Sequence, residues 1–334
     1  MKRREFITFV GGAAAWPLSA RAQQPAKAHR IAVVHPSRPV AMLTDSGGLP
    51  TYEAFFKQLH QLGYVEGQNL LVERYSGEGR TESYAALARE VVGSKPEVIF
   101  VLSARMVQDF KATATTIPIV AYTTDPVALG LAPSLARPGN NITGVVGDVG
   151  VEFWDKQLEF LRETVPTISR VAYLTPRVVW DGPTGSAMRT AAHHFGVELL
   201  GALLESPIGE LEYRRVFAAM VHDRANALIV NDAPEHYANQ RLITNLAMST
   251  RLPAIYPNRS FADAGGLIAY GPDALDLFRR AAVQVDQILK GAKPGEIPFY
   301  QATRFELIIN LKSAKALGIT FPVTLLGRAD EVIE

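Results

Sequence analysis

Apolar runs of β-branched type alternate along the chain with segments of helical spacing. His29 to Val34, Lys95 to Ala104 and Ile117 to Tyr122 read as buried strands of a first half, and Ser169 to Leu174, Arg224 to Ala233 and Leu252 to Tyr256 repeat that order in a second. The offset is 140 residues between Arg30 and Arg170 and 135 between Pro118 and Pro253, so the halves share one plan with loops of different length. Between the runs, Tyr52, Phe55, Phe56, Leu59 and Leu62 form a stripe that predicts a helix ending at Gly63. Tyr84, Leu87, Ala88, Val91 and Val92 predict another, ending at Gly93. The second half offers Trp154, Leu158, Leu161 and Val165 before Pro166, then Tyr213, Val216, Phe217, Met220 and Val221. This alternation predicts an α/β fold with two Rossmann-like lobes, each a parallel sheet covered on both faces through right-handed crossovers. Two such lobes can close on a ligand held between them.

The amino terminus adds a destination. Lys2-Arg3-Arg4 and Glu5 precede an uncharged stretch from Phe6 to Leu18, and Ala20-Arg21-Ala22 supplies small residues before Gln23. Residues 1–22 therefore read as an export signal, too short and too poorly flanked for a membrane anchor. Arg3-Arg4 followed by Glu5-Phe6-Ile7 has the twin-arginine form, the alternative being an ordinary secretory signal that carries two arginines. A periplasmic location follows. Past the signal no apolar run reaches the roughly 18 residues a membrane helix needs. The chain has no cysteine, which removes disulfides, thiolate chemistry and an acylated anchor. Its 34 Lys and Arg nearly balance 33 Asp and Glu with no basic run beyond the signal, so nucleic acid is not an expected partner. About 310 residues after the signal suit two domains.

In sheets of this kind ligands bind beyond the carboxyl ends of the strands. The first half places His35-Pro36-Ser37-Arg38, Ser103-Ala104-Arg105 and Tyr122-Thr123-Thr124-Asp125 there, and the second places Thr175-Pro176-Arg177, Asn231-Asp232-Ala233 and Tyr256-Pro257-Asn258-Arg259. Hydroxyls, amides and single carboxylates beside tyrosines suit a small, partly flat organic ligand that carries its own charges. Asp125 and Asp232 are candidates for a ligand ammonium or hydroxyl, and Arg105, Arg177 or Arg259 for a carboxylate. Tyr122, Trp180, Tyr256 and Tyr270 are candidates for stacking on a ring. Short polar residues after strands also cap the helices that follow, and that alternative stays open at each position.

Further stretches carry a resemblance. Gly63-Tyr64-Val65-Glu66-Gly67-Gln68-Asn69, Leu135 to Gly144, Leu252 to Tyr256 with Ala264-Gly265-Gly266-Leu267 and Tyr270-Gly271-Pro272-Asp273, Ile288 to Pro294, Phe305 to Lys312 and Leu325 to Glu331 resemble the tryptophan/tyrosine-type substrate-binding proteins of ABC transporters over nearly all of the mature chain. The resemblance implies a type I periplasmic-binding fold, two lobes joined by a three-stranded hinge, and delivery of a small solute to a membrane permease. The family's ligand contacts, carried over by position, fall on Ser37, Ser103, Ala104, Tyr122, Asp125, Thr175, Asn231, Asp232 and Tyr256, and an amino acid or aromatic carboxylate is the implied ligand class. Two stretches depart from the family pattern, His35 to Leu49 and Thr175 to Gly185 with Trp180 inside. Crossings are expected at Gly147 to Gly150, near Gly271-Pro272 and between Pro298 and Phe305. They divide the chain into residues 28–146 with 273–303 as lobe one and 147–272 with 304–334 as lobe two.

Catalysis has no support in the sequence. There is no nucleophile elbow, phosphate loop, H-E-x-x-H or glycine fingerprint. His193 and His194 are adjacent and splay about 100 degrees apart on a helix, so they do not chelate. No enzyme, metal or cofactor is expected. A transcriptional regulator would need a basic helix-turn-helix where this chain has its signal. The expected reading is an exported, monomeric solute-binding protein of an ABC uptake system, with a ligand-binding partner of a membrane sensor as the alternative.

Overall fold

A computed structural model describes residues 28–147 and 150–334, so the export signal expected over residues 1–22 lies outside the described residues. The first half runs β1 (His29–His35), α1 (Pro50–Gln61), β2 (Leu70–Ser76), α2 (Tyr84–Gly93), β3 (Val98–Leu102), α3 (Ala104–Thr113), β4 (Ile119–Thr123) and β5 (Ile142–Val146). The second runs α4 (Gly150–Thr164), β6 (Arg170–Pro176), α5 (Arg177–Trp180), α6 (Pro183–Phe195), β7 (Glu198–Leu204), α7 (Glu210–His222), β8 (Ala227–Val230), α8 (Pro234–Ala238), α9 (Gln240–Ser249), β9 (Ala254–Tyr256), α10 (Arg259–Asp263) and β10 (Ile268–Pro272). The tail adds α11 (Ala274–Leu289), β11 (Tyr300–Gln301), β12 (Phe305–Asn310), α12 (Leu311–Leu317), α13 (Val323–Leu326) and β13 (Glu331–Ile333).

Among the described residues these strands form two sheets, ordered β2-β1-β3-β4-β5-β11 and β7-β6-β8-β9-β10-β12-β13. The first five strands of each follow the same winding, so the duplication seen in the sequence is a duplication of topology. Pairing is parallel except between β10 and β12, where the chain returns to the second sheet against the direction of its neighbour.

Alternation along the strands explains the layers. In β1, Ile31 and Val33 face a core shared with α1 and α11, while Ala32 and Val34 face one shared with α2 and α3. In β6, Val171 and Tyr173 face α4 and α6, while Ala172 and Leu174 face α7 and α9. Both faces are covered, which is why these strands read as unbroken apolar runs. Each fully buried Val, Leu, Ile or Phe stabilises the fold by roughly 1.5–3 kcal/mol of apolar transfer. Helix α1 begins with Pro50 at its first turn and buries Tyr52, Phe55, Phe56 and Leu59. Helix α2 ends at Gly93, as its stripe predicts, while the reversal after it falls to Lys95, which takes a positive φ of 54°.

The two sheets exchange helices. Leaving β5, the chain enters α4, which packs on the second sheet, and after β10 it enters α11, which packs back on the first beside α1. A third passage runs from β11, paired with β5, to β12, paired with β10. Two of these hinge strands carry a glycine that packing demands. A Cβ on Gly144 would stand 1.9 Å from the Ala121 carbonyl oxygen, and one on Gly271 would stand 1.9 Å from that of Pro257. Each exchanged helix also sends a buried glutamine to a hinge strand: Gln157 Nε2 donates to the Tyr270 carbonyl at 3.1 Å, and Gln284 Nε2 to those of Gly144 at 3.0 Å and Pro298 at 3.2 Å.

Candidate functional site

The winding reverses at β1/β3 in the first sheet and at β6/β8 in the second, so the loops after these strands form a crevice at each sheet's carboxyl edge. The two edges meet. Arg38 Nη2, after β1, donates to Gln240 Oε1 at 2.9 Å, and its guanidinium lies 5.6 Å from the centre of the Tyr237 ring on α8. Arg105 on α3 reaches Glu235 at 3.9 Å, and a Cβ on Gly79 would lie 3.9 Å from that of Ala238.

On the first edge, burial leaves hydroxyls with nothing to bond. His35 is buried and its Nδ1 accepts the backbone N–H groups of Ser37 and Arg38 at 3.0 and 2.8 Å, which folds the loop after β1 back on the strand. Burial, then the Arg38 charge, pushes its imidazole down to about 3, so the ring is neutral. Ser37 Oγ, Tyr52 OH and Thr123 Oγ1 are buried with no hydrogen-bond partner in the structure. An unpaired buried hydroxyl costs about 1–3 kcal/mol, so three on neighbouring elements are a feature to explain. Ser103 adds local strain: it opens α3 with a φ of 78°, held by its N–H to the Tyr122 carbonyl at 2.9 Å. Ala104 follows, half-buried, and Tyr122 is half-buried against Phe278.

The second edge is a connected polar wall. Asn231, buried at the end of β8, accepts from His236 Nε2 at 2.8 Å, and the other ring nitrogen of His236 meets the Tyr213 hydroxyl at 2.8 Å. Tyr237 donates to Asp232 Oδ1, and Asn258 Nδ2 donates to the Tyr237 hydroxyl. Asp232 keeps a solvent-accessible face, yet protein crowds its carboxyl from the other sides; that burial raises it above the usual carboxylate value against the opposing Tyr237 bond. Burial likewise raises Glu235, with Arg105 opposing, and lowers the Arg38 guanidinium. Thr175 is fully buried, its hydroxyl reaching only the Pro176 carbonyl at 3.5 Å.

Other candidates lie in different settings. Asp125 is exposed and its Oδ1 accepts the N–H groups of Val127 and Ala128 at 2.9 and 3.0 Å, so its carboxylate closes the turn that follows β4, where no helix begins. Trp180 packs on Tyr173 and over Gly201 in mid-strand β7, with Arg189 at 4.9 Å from its ring, on the face that holds the α4 and α6 core. Tyr256 is buried and stacked on Phe261 at 5.3 Å. Tyr270 stacks on Phe153 and Phe305. Arg177 pairs with Glu205 and Arg259 with Glu331. Conversely Tyr52, Arg38, Glu235, Tyr237 and Gln240 are brought to the crevice although only Arg38 stands directly after a strand. Residues 234–240 carry no apolar run, but Pro234 two residues after Asp232 signals a helix start that would project them from the strand end.

Grooves of about 730 Å³, along the outer side of α1 and Arg279, and about 310 Å³, between β7 and α7, lie on the flanks and not at the crevice. Among the described residues no group of three or more His, Cys, Asp or Glu side chains is placed to hold a metal ion, and no helix is long and apolar enough to cross a membrane.

The profile of the family of ABC transporter substrate binding proteins matches residues 40–333. The chain belongs to that family. A relative described as a tyrosine-binding protein of Clostridioides difficile (strain R20291) is 24% identical over 271 residues, 80% of this chain and 76% of its own. Among solved structures, a conserved domain protein from Vibrio cholerae superposes with a TM-score of 0.81 at 23% identity, covering 92% of this chain and 100% of that one. The ABC domain in complex with L-Trp from Streptococcus pneumonia gives 0.81 at 20% identity, with 92% and 100% covered. These likenesses establish the periplasmic-binding fold, and the family match makes the chain a substrate-binding protein.

Proposed function

We propose that this substrate-binding protein captures an amino acid between its lobes, outside the cytoplasm, and presents it to an ABC permease. The lobes would be residues 28–146 with 273–303 and residues 147–272 with 304–334, and residues 1–22 would direct export. One observation carries the ligand class: unpartnered buried hydroxyls of Ser37, Tyr52 and Thr123 belong to one edge with the Arg38 cation, and the Asp232 carboxylate belongs to the other, joined to Arg38 through Tyr237. A zwitterion matches that division of charge. Its carboxylate would take the N–H groups that Arg38 does not spend on Gln240, and its ammonium the Asp232 oxygen that Tyr237 leaves free. Ser103, Ala104, Tyr122, Thr175 and Asn231 would line the same space, whereas Asp125, Trp180 and Tyr256 would serve the scaffold. The relatives with tyrosine and tryptophan in their descriptions support an aromatic side chain.

Calorimetric titration of the chain from Gln23 onward with L-tyrosine, L-tryptophan, other amino acids and aromatic acids tests this. A ligand at about 100 times its Kd adds roughly 2.7 kcal/mol, enough to raise Tm by a few degrees in a parallel melt. Asp232→Asn should weaken an amino acid about tenfold or more while leaving the melting curve of the free protein in place. Saturable binding of an aromatic acid with no response to any amino acid would refute the zwitterion assignment.

A further inference from the structure

Behind the two charges of the crevice runs a line of hydrogen bonds with one direction throughout. Arg38 donates to the Gln240 side-chain carbonyl at 2.9 Å, and the Gln240 amide donates to Ser260 Oγ. Ser260 in turn donates to Asn258 Oδ1 at 2.7 Å, Asn258 Nδ2 to the Tyr237 hydroxyl, and Tyr237 to Asp232 Oδ1. The line begins at a guanidinium on one lobe and ends at a carboxylate on the other, and each neutral group within it accepts from the one before and donates to the one after; Asn258 Oδ1 also takes the Ser260 N–H at 3.1 Å, which fixes the orientation of its amide. Reversal of any link would leave a donor facing a donor, because Arg38 has no acceptor and ionised Asp232 no donor. Hydrogen bonds in such a chain polarise one another, by perhaps 10–30% per bond.

We propose that Gln240, Ser260, Asn258 and Tyr237 are positioning residues that couple the arrival of Arg38 to the retention of charge on Asp232, the acceptor for a ligand ammonium. This rests on the amino-acid reading above. When the lobes meet, Arg38 polarises the line from its head, and Tyr237 donates more strongly at its tail. Asp232 is then held ionised in surroundings whose crowding opposes ionisation, with one oxygen committed and the other presented to the crevice. Recognition of an amine thereby depends on residues that touch neither the ligand nor the opposite lobe, and Ser260 is the clearest of them.

Ser260→Ala breaks the line in its middle without altering charge and leaves the Arg38–Gln240 contact intact; Gln240→Leu breaks it at its head. Dissociation constants for L-tyrosine and for its des-amino analogue 3-(4-hydroxyphenyl)propionate are compared by calorimetry, and the Asp232 carboxyl is titrated by 13C NMR in the free protein. Both variants are expected to weaken L-tyrosine about three- to tenfold, to change the des-amino analogue less than about twofold, and to move the Asp232 midpoint upward. Wild-type affinity for L-tyrosine in Ser260→Ala would reduce Gln240 to a simple latch and overturn the relay, as would equal losses on both ligands. If wild type binds neither compound, the amino-acid reading has failed and the NMR titration alone decides: an Asp232 midpoint unmoved in both variants overturns the relay, and an upward shift in both sustains it.

Discussion

His236 fixes the second wall from inside the protein. Its Nε2–H goes to Asn231 and its Nδ1 meets the Tyr213 hydroxyl, so a neutral ring satisfies both neighbours. Burial lowers it from the ordinary 6.5 to about 3. The unfolded chain therefore binds a proton over that interval that the folded chain refuses, and stability present above pH 6.5 is lost as pH falls toward 3. His35, held at about 3 chiefly by burial, adds to the same trend. Urea unfolding across this window should show a slope that is shallower in His236→Gln; an identical slope would mean the ring already titrates freely. At this scale the sequence is a partial guide. Tyr52 reads as core from its helical spacing, and its ring is core, but periodicity says nothing of a hydroxyl left without a partner. Asp125 and Asp232 are alike as strand-end carboxylates, and only the fold separates them, the first spending an oxygen on its own turn.

Among the elements, the short helix α8 does most to join the lobes. It buries Glu235 near Arg105, Tyr84 and Glu82 of the first half and Tyr213 of the second. Burial outweighs the Arg105 charge and raises the Glu235 carboxyl above its ordinary 4.5. If closure on a ligand creates that burial, it takes up protons, and ligand binding should weaken as pH rises from about 4.5 through the raised value. Calorimetry between pH 4.5 and 7.5 should show affinity falling more steeply, or rising less, with pH in wild type than in Glu235→Gln, which is neutral at that position throughout and leaves only the opposing ionisation of Asp232; equal slopes would assign the trend to another group. The strands and long helices were legible because burial on two faces or along one stripe imposes a period. Helix α8 was not, since five residues give no period and its work is done by polar side chains aimed at another part of the chain.

For the whole molecule, the duplication visible as offsets of 140 and 135 residues reappears as two sheets of one winding, and the exchange of α4 and α11 makes each hinge strand depend on a helix that the chain reaches from the other sheet. The dependence is unequal. Gln284 supplies two hinge carbonyls, Gly144 and Pro298, whereas Gln157 supplies only that of Tyr270. A leucine in either place keeps apolar volume but strips donors from buried acceptors, at about 1–3 kcal/mol for each carbonyl left without one. Gln284→Leu should therefore lower Tm more than Gln157→Leu, and should speed hydrogen exchange in β5 and β11 ahead of the rest of the first sheet. Because α11 is built from residues after the second half, local opening there loosens the first lobe through a segment more than 120 residues away in sequence from β5. A greater loss of Tm in Gln157→Leu would reverse this order and show that packing of the exchanged helices, and not their glutamines, holds the hinge.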